Sequence, residues 1–140
     1  MTIITALRTY ISAYAALPTG APLWVDHLGK EPDQYAIVPL PGARKLEEYI
    51  DGGSLREFPF AFQAMLSTAA EAERLESNGF FEAFADWLEA QTEAGNLPTL
   101  ATGKTPIEIE ATSWGFLFEQ GDSGTGIYQI SCRLEYEQEA

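Results

Sequence analysis

Few side chains in this sequence of 140 residues have the types and spacing that chemistry requires. Glu47, Glu48 and Asp51 stand close together, and paired carboxylates can do acid–base work or bind a divalent cation. Arg44, Lys45 and Arg56 flank them in the same stretch, so cross-strand ion pairing explains the group equally well. His27 is the only histidine, with no His-x-x-His or His/Cys cluster to make it a metal ligand. Its neighbour Asp26 would point to the opposite face of a strand, so a loop or strand-end histidine without catalytic duty is expected. Cys132 is the only cysteine; it can form no internal disulfide and no thiolate metal cluster, and its apolar setting predicts a buried small hydrophobe. The glycine-rich run from Gly121 to Gly126 has neither P-loop nor dinucleotide spacing, and no lysine follows it, so a hairpin connection is expected there. Ser67 and Ser113 lie in no nucleophile elbow. These residues predict no enzyme, no cofactor and no metal site.

The elements that must position these side chains follow from hydrophobic period. Ile3, Ile4, Leu7, Ile11, Tyr14 and Leu17 recur at helical spacing behind Thr2, predicting a helix over 3–17 that Pro18 and Pro22 end. Residues 23–25 and 35–38 are short β-rich runs. Leu46 to Ile50 leads through Asp51, Gly52, Gly53 and Ser54 into an alternating arm with Phe58, Phe60, Phe62, Ala64 and Leu66 on one face, a hairpin pattern. Pro59 cannot donate to a ladder, so its backbone nitrogen is expected to face away from a neighbour. From Ser67 to about Gln91 the period becomes helical, with Asn78 and Gly79 expected to break or kink the stretch. Phe80, Phe84, Trp87 and Leu88 line one side of its second part, and Glu82, Asp86, Glu89 and Glu93 mostly the other. One strand over 107–118 and a last one over 128–136 close the chain. In the latter Tyr128, Ile130, Cys132, Leu134 and Tyr136 face inward, and Gln129, Ser131, Arg133, Glu135 and Glu137 outward. The order α-β-β-β-β-α-β-β predicts a single α+β domain over 1–140, a mostly antiparallel sheet with two main helices packed on one face.

Composition narrows the partners. With 46% hydrophobic and 12% aromatic residues the chain can fold on its own core. Eight Lys+Arg against 21 Asp+Glu give a formal charge of −13. Residues 1–70 carry five basic and seven acidic side chains, residues 71–140 three and fourteen. A basic patch for phosphate backbones or anionic lipid is missing, so neither sequence-specific nucleic acid nor a membrane is expected as partner. The first residues make a poor signal peptide, and the uncharged run Thr9–Val25 is interrupted by Pro18, Gly20 and Pro22, so it cannot span a bilayer. A soluble chain in a reducing cytoplasm is expected.

Three stretches then carry a resemblance: GFFEAFADWLE from Gly79 to Glu89, NLPTL from Asn96 to Leu100, and GIYQISCRLEY from Gly126 to Tyr136. Together with the first helix and the hairpin from Asp51 to Ser54, this text resembles the tail terminator, or minor capsid, proteins of long-tailed phages and prophages of Gram-positive bacteria. The likeness covers nearly the whole chain and rests on aromatic packing patterns, with no catalytic residue to carry over. It implies a small α+β domain forming a hexameric ring at the head-proximal end of the tail tube. The implied ring ends tube polymerisation and meets the head-completion or connector protein, working in the host cytoplasm during assembly and then in the virion tail. No catalysis and no cofactor are implied.

A ring subunit presents two unlike surfaces to identical neighbours. The hairpin carrying Arg44, Lys45, Glu47, Glu48, Asp51 and Arg56 is the expected contact with an acidic neighbour, since three of the eight basic residues lie there. Alternatives are a connector adaptor on the portal side, a small metal-assisted enzyme built on the carboxylates, and an acidic mimic of DNA.

Overall fold

The computed structural model describes residues 1–17, 23–26, 28, 34–121 and 124–140. The spine of its sheet is a pair of fourteen-residue strands, β4 (Ser54–Ser67) and β7 (Thr125–Gln138), antiparallel from Ser54 opposite Gln138 to Ser67 opposite Thr125. Each spine strand has two shorter strands end to end along its outer edge. On β4 these are β2 (Gln34–Pro39) and β3 (Lys45–Glu48); on β7 they are β5 (Lys104–Ala111) and β6 (Phe116–Gln120). A three-residue β1 (Leu23–Val25) adds parallel to β2 and is the one parallel pairing among the described strands. The described residues thus form the expected α+β architecture, a seven-stranded, mostly antiparallel sheet with two helices on one face.

The inner face follows from alternation. Phe60, Phe62 and Ala64 of β4, Tyr128, Ile130, Cys132, Leu134 and Tyr136 of β7 and Ile109 of β5 are buried against Leu7, Ile11, Phe81, Phe84 and Leu88 of the helices. Phe62 is its hub, with ring centroids 4.5 Å from Phe84, 5.9 Å from Phe81 and 6.0 Å from Tyr35. Such offset aromatic contacts contribute about 0.5–1.5 kcal/mol each beyond the area they bury. Pro59 fits a central strand because its carbonyl accepts from Leu40 N at 3.0 Å, putting its donorless nitrogen on the side where the β2 ladder has just ended.

Three sequence expectations are corrected. Helix α1 runs over Ile3–Ile11, with Thr2 Oγ1 accepting from Thr5 N at 3.2 Å, and stops six residues before Leu17. Ser12 donates its hydroxyl to Thr9 O at 2.7 Å, and tighter bonds such as Ala13 N to Tyr10 O at 3.2 Å replace the helical ladder. Tyr14 still turns inward, its ring 5.2 Å from Phe84. Helix α2 runs unbroken over Glu71–Ala94 straight through Asn78 and Gly79. Phe80, Phe81, Phe84 and Leu88 anchor its inner side on the sheet, and that packing outweighs the roughly 1 kcal/mol a mid-helix glycine costs. It ends as expected at Gly95, whose φ of 77° permits the left-handed cap.

The single strand expected over 107–118 is two. Ala111 is opposite Cys132 and Phe116 opposite Gln129, so four residues on one side span two on the other. Thr112 N still reaches Ser131 O at 2.7 Å, and Ser113 Oγ accepts from Ser131 N at 3.0 Å, which keeps the bulge satisfied. At Gly115 the backbone passes so near Phe81 that a Cβ there would collide with the Phe81 Cβ. Among the described residues no helix is long and apolar enough to cross a membrane.

Candidate functional site

The β3–β4 hairpin projects with all four β3 residues exposed. Its turn is closed by Tyr49 N to Gly53 O at 2.8 Å and Gly52 N to Tyr49 O at 3.1 Å, with Gly52 at φ 92°. Asp51 accepts from Gly53 N at 2.9 Å, so its carboxylate belongs to the turn. At the tip Ile50 is fully exposed.

The three hairpin carboxylates do not converge. Glu47 lies opposite Leu55 and Glu48 opposite Ser54, on alternate faces of the strand. Glu48 binds Lys45 Nζ at 2.7 Å, and that hydrogen bond, with the Lys45 charge behind it, lowers its pKa below the usual carboxylate range. The ion pair therefore runs along β3, correcting the expected cross-strand pairing. Lys45 instead faces Arg56 directly, two like charges in register. Such a pair is unfavourable for folding. Arg56 Nε donates to Ser54 Oγ at 2.9 Å and has no carboxylate partner among the described residues.

Beneath this arm the inner face opens into a crevice of about 470 Å³ between the first turn of α1 and the lower ends of β4, β5 and β7. Arg44, Arg56 and Lys104 line it, over walls that include Ile3, Phe58 and Pro59. Lys104 arrives from far along the chain because β5 pairs Lys104 with Gln138. Sequence reading missed it, since only the strand register brings it beside the hairpin. Among the described residues every ion pair involves either Lys45 or Arg133, so these three cations are left without a carboxylate partner.

A second groove, about 580 Å³, lies between α2 and the β5 edge. Asp86, Glu89 and Glu93 form one wall, Glu108 and Glu110 the other, with Trp114 largely exposed at its end. Its floor is held by Thr92, whose hydroxyl donates to Ile109 O at 2.8 Å and accepts from Ile109 N at 3.1 Å. The unpaired edge of β5 is thereby occupied by a helix side chain.

On the outer face Arg133 gathers four glutamates: Glu57 at 3.4 Å, Glu108 at 3.3 Å, Glu110 at 2.8 Å and Glu135 at 3.3 Å. Burial alone would lower the guanidinium pKa, but the Glu110 hydrogen bond and the surrounding charges raise it above its ordinary value. Alternation along β7 places Arg133 outward, yet its glutamate ring depends on β5 pairing, which the sequence alone does not register.

The remaining candidates have structural duties. Cys132 is buried, and burial pushes its thiol pKa up, which suppresses the thiolate that reactivity needs. Ser67 donates to the Glu73 carboxylate at the start of α2, and Ser113 donates to Trp114 O at 3.0 Å. Gln120 pairs with Gly126, so the glycine-rich run joins β6 to β7 as a hairpin; Asp122 and Ser123 within it lie outside the described residues. His27 also lies outside the described residues. No group of three His, Cys, Asp or Glu among the described residues is placed to hold a metal ion. No protein-family model matches the chain, and no curated protein is detectably similar to it.

Proposed function

We propose that this chain is a tail terminator, a structural subunit that caps the head-proximal end of a phage or prophage tail tube. It ends tube growth there as a hexameric ring and offers its outer rim to a head-completion or connector protein. The observation that carries the reading is the presence, on one chain, of two unlike surfaces of opposite charge. One is the hairpin crevice with Arg44, Arg56 and Lys104; the other is the acidic groove between α2 and β5. A closed head-to-tail ring needs two such different surfaces on each copy, whereas a two-fold dimer reuses one patch. The sequence resemblance supplies the tail, and the absence of converging carboxylates removes the main support for a hairpin enzyme.

Electrostatics set the conditions for assembly. Six copies at −13 bring 78 net negative charges into one annulus. That repulsion acts over a distance of about 30 Å at 0.01 M salt and about 8 Å at physiological salt, while contact ion pairs are screened less. The protein is expected to be monomeric in dilute, low-salt buffer and to close into rings at physiological salt or on a tube tip. Sedimentation showing a stable hexamer at low salt and low concentration contradicts this.

The deciding experiment is electron microscopy of tails assembled with and without the protein. Overlong tubes in its absence, shortened to uniform length on adding it back, support termination. Tails of normal length that fail to join heads point to a connector adaptor instead, and unaffected tails refute both.

A further inference from the structure

The α2 helix carries a regular feature that no ion pair among the described residues uses. Glu82, Asp86, Glu89 and Glu93 recur at steps of four, three and four, which places them in one row about 16 Å long on the helix surface. All four are exposed, and none forms an ion pair among the described residues. Arg74 is the only cation in the helix, a full two turns before the row begins. The basic crevice is its counterpart in sign: three cations line it, none in an ion pair among the described residues, and its one lining carboxylate, Glu57, is held by Arg133, in a chain where acids outnumber bases 21 to 8. Lys45 directly opposite Arg56 sharpens this, because a fold selected only for stability would alternate the signs.

We infer that the crevice of Arg44, Arg56 and Lys104 is the receptor for the α2 carboxylate row of a second copy of this chain. This rests on the ring reading and names the two surfaces that meet in it. The crevice takes the carboxylates, its apolar walls exclude water from the contact, and the occupied copy leaves its own crevice open to the next. Guanidinium groups suit this because their planar forks bind carboxylates bidentately. Contact across unlike surfaces also explains how a strongly acidic chain can associate with itself, since local attraction is set against long-range repulsion.

A charge swap tests it with the full-length chain. Reversing the crevice (R44E, R56E, K104E) changes the formal charge from −13 to −19, and reversing the row (E82K, D86K, E89K, E93K) changes it to −5. In physiological salt the wild type is expected to self-associate by sedimentation, and each variant alone to lose at least about tenfold in association. An equimolar mixture of the two variants is expected to regain it, because each acidic crevice then meets a basic row and each basic crevice an acidic row. Both variants remain net negative, so bulk attraction does not produce that rescue. Circular dichroism and thermal melts check that each variant is folded, and the neutral set R44Q, R56Q and K104Q gives a milder step expected to weaken association in the same direction.

A wild type that stays monomeric at millimolar concentration overturns the inference. So does either charge variant associating like wild type, or two folded variants whose mixture stays monomeric. Should sulfate or phosphate alone saturate the crevice while the swap mixture stays apart, the site is a small-anion site and the inference fails. The tail-length assay separates this from the functional reading. Overlong tails with a failed swap leave termination standing, and a successful swap with unaffected tails leaves the contact without the tail role.

Discussion

Replacing Arg133 with methionine should destabilise the protein by about 3 kcal/mol at low salt, most of it from the carboxylates left behind. Strand register explains why. Glu57, Glu135 and Glu108 stand directly opposite one another across three adjacent strands, and Glu110 is opposite Arg133 itself. Methionine keeps the unbranched apolar stem and removes only the charge. The pairs to Glu108 and Glu110 lie at the exposed rim and contribute about 0.5 kcal/mol each. Glu57 and Glu135 are only 17% and 18% exposed, so each stranded carboxylate costs about 1 kcal/mol more. Against a global stability on the order of 10 kcal/mol, a loss of this size is readily measured. Urea unfolding is the suitable assay, because guanidinium chloride is itself a screening salt. In 1 M NaCl, where the screening length is about 3 Å, the difference should fall to roughly half. Adding Glu135→Gln to the variant should recover about 1 kcal/mol by removing the middle charge of the row. A low-salt loss under about 0.5 kcal/mol, or one indifferent to salt, would refute the reasoning.

Gly79→Ala should stabilise the protein by about 1 kcal/mol, since α2 continues through it and nothing lies within 4 Å of the added methyl; a loss of stability in urea would show that the helix is interrupted there after all. Gly115→Ala should do the opposite and cost about 1–3 kcal/mol, because its Cβ meets the buried Phe81 side chain, and an unchanged melting temperature would contradict that packing. Thr92→Val keeps the shape but leaves the Ile109 N–H and carbonyl without their partner, a loss of about 1–3 kcal/mol together with faster hydrogen exchange at Ile109. Burial raises the Tyr10 phenol pKa to about 12, while its hydroxyl donates to Asn96 O at 2.7 Å. The unfolded chain ionises Tyr10 near its ordinary 10, so the associated stability is complete below that pH and is lost as pH rises toward 12. Allowing for solvent screening at a half-buried ring, the loss is about 1 kcal/mol, and Tyr10→Phe should flatten that part of the stability profile.

Local patterns foretold those parts of the fold whose cause is local. Strict alternation from Tyr128 to Tyr136 specifies one buried face, and all five inward residues are buried. Gln129 departs from it, buried on the outer face because its amide pairs with Gln63 at 2.8 Å, a neighbour that only register supplies. The turn at Asp51 and the cap at Gly95 were legible because each depends on a few adjacent residues. The continuity of α2 was not, because the force that overrides Gly79 comes from rings 17 and 44 positions away, Phe62 and Tyr35, which pack on Phe80. For the candidate surface, Arg44, Lys45 and Arg56 were visible as a group. That Lys104 joins them, that Lys45 pairs along its own strand, and that Asp51 serves its turn all depend on side-chain direction and long-range pairing.

The β4–β7 spine also decides when this protein can fold. Its fourteen pairs join residues 58 to 84 positions apart, and β5 and β6 hydrogen-bond to the same β7. On a ribosome β7 is made after the other described strands, so β5 and β6 emerge before the strand they pair with. Until then β4 shows one bare edge and the aromatic face of Phe58, Phe60 and Phe62, the condition in which nascent chains stick to one another. High contact order makes the closing step slow as well. Closure of the sheet therefore waits for β7, and until it arrives the aromatic face of β4 is open to association between nascent chains.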